Sequence, residues 1–263
     1  MFHYFGYGSN INLIALKAKG VQPVASMNGL LKKWKLTFNV QHWFQHEGGM
    51  GNIEFTSLDT DVVEGIVHLC QDEELKSLDA LEAYGIGYDR IEVEVETSKG
   101  IIKAYTYVGL PAYINDNCLP TRRYLNIITH GAEKAGLSVP YIDRLKNYPI
   151  YIPEPYPAFS HPKGNGKSYS KETLSLEPTY TALYGAVFDM KRARNMLQCL
   201  IDIFGGKDMT LFHLKRLDTS DGNETIEDVI TGNISNEGKT YLNAYLNEYN
   251  KEFNYVGKFI YQA

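Results

Sequence analysis

Apolar and polar positions alternate, with β-branched and aromatic residues in excess, over Phe2 to Phe5, Leu30 to Val40, Val62 to His68, Tyr88 to Glu96 and Ile101 to Val108. This pattern predicts five strands in the first half of the chain. A longer period takes over from Asp72 to Ala83, where Leu75, Leu78 and Leu81 mark one face, and from Thr121 to Ala135, where Tyr124, Ile127, Ile128 and Ala132 do the same; both predict helices. Strands outnumber helices, which places residues 1–148 in the α+β class. Over 149–178, Pro149, Pro153, Pro155, Pro157 and Pro162 interrupt any regular element and predict a linker or a long wrapping arm.

Regular patterning resumes over 179–263, as expected of a smaller α+β C-terminal domain. Leu183 to Met190 reads as a strand, Met190 to Phe204 as an amphipathic helix and Met209 to Leu217 as a second strand. A helix from Ser235 to Phe253 carries Tyr241, Leu242, Tyr245, Leu246, Tyr249 and Phe253 on one face, and Tyr255 to Tyr261 forms a last strand. That aromatic face must bury itself on its own strands, on the first half, or on a second copy of the chain in a homodimer.

Two places carry candidate chemistry. The first strand runs into Gly6, Tyr7, Gly8, Ser9 and Asn10, a tight turn in which backbone without Cβ atoms can present N–H groups to a small anionic or carbonyl group. The second is Leu78, Asp79, Ala80, Leu81, Glu82, an acid at the end of a helix just before the glycine-broken loop Tyr84, Gly85, Ile86, Gly87, Tyr88. Taken alone, Glu82 is as well explained by a surface acid and the turn by simple chain reversal. Asp79 reads as a capping or ion-pairing residue. Ser9 lacks the nucleophile-elbow pattern and has no evident Asp and His partners, so it reads as a positioning hydroxyl.

In order and spacing these residues resemble the gamma-glutamylcyclotransferases, whose signature is a Tyr-Gly-Ser-Asn loop followed by a Leu-Asp-x-x-Glu segment and a strand that begins at a Tyr. Tyr7 to Asn10 match the first element, Leu78, Asp79 and Glu82 the second, and Tyr88 opens the strand. Gly51, Asn52 and Ile53, then Ala104 and Tyr107, then Tyr124, Ile127, Ile128, Gly131, Ala132, Gly136, Leu137 and Tyr141 in a closing helix continue the series over 1–148. The resemblance implies a mixed-strand β-barrel flanked by helices. It also implies a cofactor-independent enzyme that converts a γ-glutamyl substrate to 5-oxoproline with Glu82 as general acid and base. Tyr7, Gly8, Ser9, Asn10, Tyr88 and Tyr107 would then bind substrate. A binding module that keeps the pocket without catalysis, or an amidohydrolase using Ser9, are the alternatives.

Composition narrows the classes further. With 263 residues, 44% hydrophobic and 22% charged, the chain can bury a sizeable core. A net charge of −5 with no basic stripe argues against nucleic-acid partners. No stretch has the length of a membrane span and no charged leader precedes the first strand, so a cytoplasmic location is expected. Cys70, Cys118 and Cys199 are too few and too scattered for a disulfide framework or a metal site. His42 and His46 stand four apart, but their surroundings read as a strand entering a loop, which predicts a solvent-facing pair and no metal. In Gly164, Asn165, Gly166, Lys167, Ser168 the first glycine of a phosphate loop is missing, His161 standing in its place, so an ordinary flexible turn is expected.

Overall fold

The computed structural model describes residues 1–162 and 166–261. The chain forms two compact units, Met1–His42 with Glu47–Pro153, and Trp43–His46 with the chain from Glu154 onward. The class is α+β, and the first unit is a closed five-stranded barrel with flanking helices.

In chain order the first unit contains β1 (Phe2–Gly6), α1 (Leu13–Ala18), β2 (Ala25–Lys32), β3 (Trp34–Gln41), β4 (Gly49–Phe55), β5 (Val62–Cys70), α2 (Glu74–Leu81), β6 (Tyr88–Thr97), β7 (Gly100–Gly109), α3 (Arg122–Ala135) and α4 (Val139–Lys146). The barrel closes in the order β1, β5, β2, β6, β7, and β3 pairs with β4 in a separate two-stranded sheet. Closure brings β1 and β7 together in parallel at Tyr4 and Tyr105, where Thr106 Oγ1 donates to the Phe5 carbonyl at 2.9 Å. Alternate residues of the barrel strands, including Phe5, Leu31, Val63, Val67, Val93, Val95 and Ala104, form the interior.

The pattern over Leu30 to Val40 predicts one strand, but the chain makes two. Lys33 has φ 68°, a left-handed conformation that turns the chain, and it divides β2 from β3. The closing helix also divides: Gly136 takes φ 68° at the C-terminus of α3, and Ser138 Oγ then accepts from Tyr141 N to start α4.

The second unit contains β8 (Ser168–Tyr169), α5 (Lys171–Ser175), β9 (Tyr180–Leu183), β10 (Ala186–Asp189), α6 (Leu200–Phe204), β11 (Lys207–Asp208), α7 (Thr210–Leu214), α8 (Ile226–Thr231), α9 (Asn236–Glu252) and β12 (Asn254–Phe259). Its sheet runs β11, β9, β10, β12, β8. The face of α9 marked by Tyr241, Leu242, Tyr245, Leu246 and Tyr249 is buried in the core of this same unit, together with Phe44, whose ring lies 5.4 Å from that of Tyr245. Within 149–178, Phe159 N donates to Asn243 Oδ1 and Asn247 Nδ2 to the Pro157 carbonyl, so α9 holds the chain at Pro157–Phe159. The same stretch also contributes β8 and α5.

Three expectations fail here for local reasons. The long helix from Met190 is a turn, a short 3-10 segment over Asn195–Leu197, and then α6, although Met190, Ala193, Leu197, Leu200 and Phe204 all reach the core. The strand from Met209 is instead α7, because Asp208 Oδ1 accepts from Thr210 N and Oγ1 and starts a helix. His46 is buried at 6% exposure with its ring 4.4 Å from Tyr245, so this member of the histidine pair is not solvent-facing. Gly164 and Asn165 of the expected flexible turn lie outside the described residues. Among the described residues no helix is long and apolar enough to cross a membrane, and no group of three or more His, Cys, Asp or Glu could hold a metal ion.

α3 packs on the turn that follows β1, and Gly131 is where they meet. A Cβ there would stand 2.6 Å from Asn12 N and 2.8 Å from Asn12 Cα. Alanine would improve helix propensity by about 1 kcal/mol, but the overlap is with backbone and cannot be relieved by a rotamer. Gly131→Ala is therefore expected to destabilise the protein by about 1–3 kcal/mol, measured as a lowered urea midpoint with an unchanged m-value.

Candidate active site

β1 ends at Gly6, and Tyr7 leads into a 3-10 turn over Ser9–Ile11 in which Ile11 N donates to the Gly8 carbonyl at 3.0 Å. Asn12 then caps α1, its Oδ1 accepting from Ile14 N at 2.9 Å. These short-range bonds turn the Asn10 side chain inward, where it is 3% exposed. On the other side, α2 ends at Glu82, Ala83 adopts φ 49°, and Gly85 φ 78°. The chain thus reverses immediately after the acid.

Turn and helix end meet. Asn10 Nδ2 donates to Glu82 Oε1 at 2.9 Å and to Tyr4 Oη at 2.6 Å. Lys19, at the C-terminal end of α1, donates from Nζ to Asn10 Oδ1 at 2.8 Å and to the same Glu82 Oε1 at 3.1 Å. The ion pair is largely buried, the Lys19 and Glu82 side chains being 8% and 15% exposed.

The other candidate residues surround this centre. Tyr7 Oη donates to the Tyr107 carbonyl at 2.6 Å, and Tyr88 Oη to the Gly51 carbonyl at 2.9 Å. Gly51 N in turn donates to Tyr124 Oη at 3.1 Å. The Tyr107 hydroxyl is bound to Asp79 Oδ1 at 2.6 Å, and Asp79 also pairs with Arg90. The hydroxyls of Tyr7, Tyr88 and Tyr107 are therefore engaged with the protein, and what they fix is the backbone and the acid-bearing helix around Glu82. Burial first, with a further push from the Glu82 charge, raises Tyr4, Tyr7, Tyr88, Tyr107 and Tyr124 above the ordinary tyrosine value, so all five stay protonated and can donate.

Gly8 has φ −103°, which any residue can adopt, so its need for glycine is steric. A Cβ there would stand 3.0 Å from Tyr124 Oη, and one on Gly51 would stand 3.2 Å from the same oxygen. Two glycines thus let the backbone pack closely against one buried hydroxyl. Ser9 sits beside the Tyr124 hydroxyl.

Two participants have no signature in the sequence. Lys19 lies 63 positions from Glu82, and nothing in the run Lys17, Ala18, Lys19 distinguishes the inward lysine from the exposed one. His68, wholly buried on β5, is held between Ser26 Oγ, 2.8 Å from Nδ1, and the Asn10 carbonyl, 3.1 Å from Nε2. A carbonyl accepts, so Nε2 carries the proton and Nδ1 accepts from Ser26. A cavity of about 200 Å³ borders His68, Asn12 and Gly131.

The family model described as AIG2-like matches residues 62–145. Human gamma-glutamylcyclotransferase is 32% identical over 152 residues, which cover 55% of this chain and 77% of the human protein. The chain belongs to the gamma-glutamylcyclotransferase family. The gamma-glutamyl cyclotransferase gliK of Claviceps purpurea is 26% identical over 148 residues, 54% of this chain and 67% of that protein. A solved structure of a gamma-glutamyl cyclotransferase superposes with a TM-score of 0.50 at 26% identity, covering 57% of this chain and 89% of that one. The family relation so established covers a little over half of the chain.

His68 gives the site a measurable pH signature. Burial lowers its pKa from 6.5 to about 4, so the folded protein keeps the ring neutral where the unfolded chain binds a proton. The stability it contributes is complete above about pH 6.5 and is lost as pH falls through about 4, up to roughly 3 kcal/mol. Urea unfolding at a series of pH values should show this decline in the wild type and a shallower one in His68→Gln.

Proposed function

We propose that the first unit is a gamma-glutamylcyclotransferase that acts on a γ-glutamyl amine or γ-glutamyl amino acid, releases the free amine and forms 5-oxoproline, with Glu82 as general acid and base. One observation carries this reading: the Glu82 carboxylate stands 2.9 Å from the Asn10 amide, so an acid and a glycine turn 72 positions apart share one place.

In such a substrate the nucleophile and the electrophile belong to the same molecule. Ring closure then requires that the glutamyl chain be held folded and that protons be moved. The α-amine nitrogen attacks the γ-carbonyl carbon, and its proton passes to Glu82. Backbone N–H groups of the Tyr7–Asn10 turn face the oxyanion, and Ser9 positions the glutamyl unit. Collapse of the tetrahedral intermediate breaks the bond to the leaving nitrogen, which takes the proton back from Glu82. The carboxylate is regenerated, and no cofactor or metal enters the cycle. Tyr88 and Tyr107 act by holding the Gly51 carbonyl and Asp79 in place.

Glu82→Gln keeps the shape of the side chain and its contact with Asn10 but cannot carry the proton. It is expected to fold and to lose about a hundredfold or more in 5-oxoproline release, the scale of general acid–base catalysis. The assay is mass spectrometry over a panel of γ-glutamyl compounds. Wild-type turnover by folded Glu82→Gln would sink the mechanism, whereas glutamate as product, abolished by Ser9→Ala and retained in Glu82→Gln, would replace it with hydrolysis.

A further inference from the structure

We infer that Lys19 is a positioning residue for the acid/base carboxylate, fixing Glu82 Oε1 and supplying its counter-charge so that Oε2 is the oxygen that exchanges the proton. The inference rests on the cyclotransferase reading.

Three bonds form a closed ring: Lys19 Nζ to Asn10 Oδ1 at 2.8 Å, Lys19 Nζ to Glu82 Oε1 at 3.1 Å, and Asn10 Nδ2 to the same Oε1 at 2.9 Å. Both donors fall on one carboxylate oxygen. That oxygen is immobilised, and the other is left to address an amine. Lysine ordinarily directs its ammonium to water, and Lys17 does so two positions earlier. Lys19 instead turns inward at the end of α1, before Gly20 at φ 80° ends the helix, and its side chain is 8% exposed.

The local field explains why a cation belongs there. Glu82 caps the C-terminal end of α2, where helix carbonyls disfavour a negative charge, and it is largely withdrawn from water. The groups that feel its charge are Tyr4, Tyr7, Tyr88, Tyr107 and Tyr124, all neutral because burial holds them protonated. Arg90 is committed to Asp79. Lys19 therefore provides the compensating charge that keeps Glu82 ready to accept the amine proton. In the reaction the N–H proton moves to Oε2 as the N–Cγ bond forms, and it returns from Oε2 to the leaving nitrogen as that bond breaks. The ammonium gives up no proton and nothing else is consumed.

The test compares Lys19→Met, Lys19→Gln and Lys19→Ala with wild type and Glu82→Gln. In Lys19→Met we expect kcat to fall about tenfold or more while KM changes little. We also expect the acidic limb of kcat against pH to move upward by about one unit or more, as loss of an adjacent cation requires. Propylammonium should recover part of the lost rate in Lys19→Ala, whereas propanol at the same concentration should not. If Lys19→Met does not fold, the same kcat and pH measurements on Lys19→Gln, which can still bond to Asn10, decide the matter. Wild-type kcat with an unmoved acidic limb would overturn the inference. So would a loss of rate without movement of the limb and without recovery by propylammonium, since that would make Lys19 merely structural. Failure of the cyclotransferase reading looks different: no 5-oxoproline from the wild type, or full activity in Glu82→Gln.

Discussion

A carboxylate at the C-terminal end of a helix faces backbone carbonyls, and one removed from water has lost the solvent that would offset them. Glu82 is in both situations, and the Asn10 amide and the Lys19 ammonium are what hold it there. Removing one partner of such a buried pair commonly costs about 3–5 kcal/mol, because the other charge is left uncompensated. The surrounding architecture can be understood as the means of bringing these three side chains together. β1 delivers the turn, the capped α1 returns Lys19, the packing of α3 at Gly131 fixes Asn12, and the reversal at Ala83 ends α2 at the acid.

The tyrosines add a second layer of the same kind. Their hydroxyls do not point at Glu82 as free donors; they grip Gly51, the Tyr107 carbonyl and Asp79. This makes Gly51 a junction, held at its carbonyl by Tyr88 and at its N–H by Tyr124, while its missing side chain lets the Tyr124 hydroxyl and Gly8 pack closely against it. A rigid polar frame suits a reaction whose main demand is that a flexible substrate be held folded.

Much of the barrel is legible in the sequence because barrel strands alternate, and period two is a strong signal at Val62 to His68 and Tyr88 to Glu96. The turn and the acid are legible only through their match to the family signature, since each taken alone has a plain structural explanation. What the sequence conceals are contacts over long separations. Lys19 and Glu82 are 63 positions apart, and His68 is one more residue in a strand until Asn10 arrives beside it. Breaks set by single backbone angles are equally silent, as at Lys33. In the second unit the apolar period from Met190 marks burial correctly but not helix, since residues in a turn and a 3-10 segment reach the core as well. Phe44 belongs to that core although the chain on either side of Trp43–His46 belongs to the first unit, and no local pattern could reveal it.

A crystal structure with bound 5-oxoproline tests whether the Glu82 carboxylate meets the glutamyl nitrogen beside the Tyr7–Asn10 turn. The expected complex has the lactam N–H within hydrogen-bond distance of Glu82, on Oε2, and the ring carbonyl turned toward the backbone N–H groups of the turn, with Lys19 and Asn10 still on Oε1. A lactam bound elsewhere, or bound at the turn with its nitrogen directed away from Glu82, would contradict it.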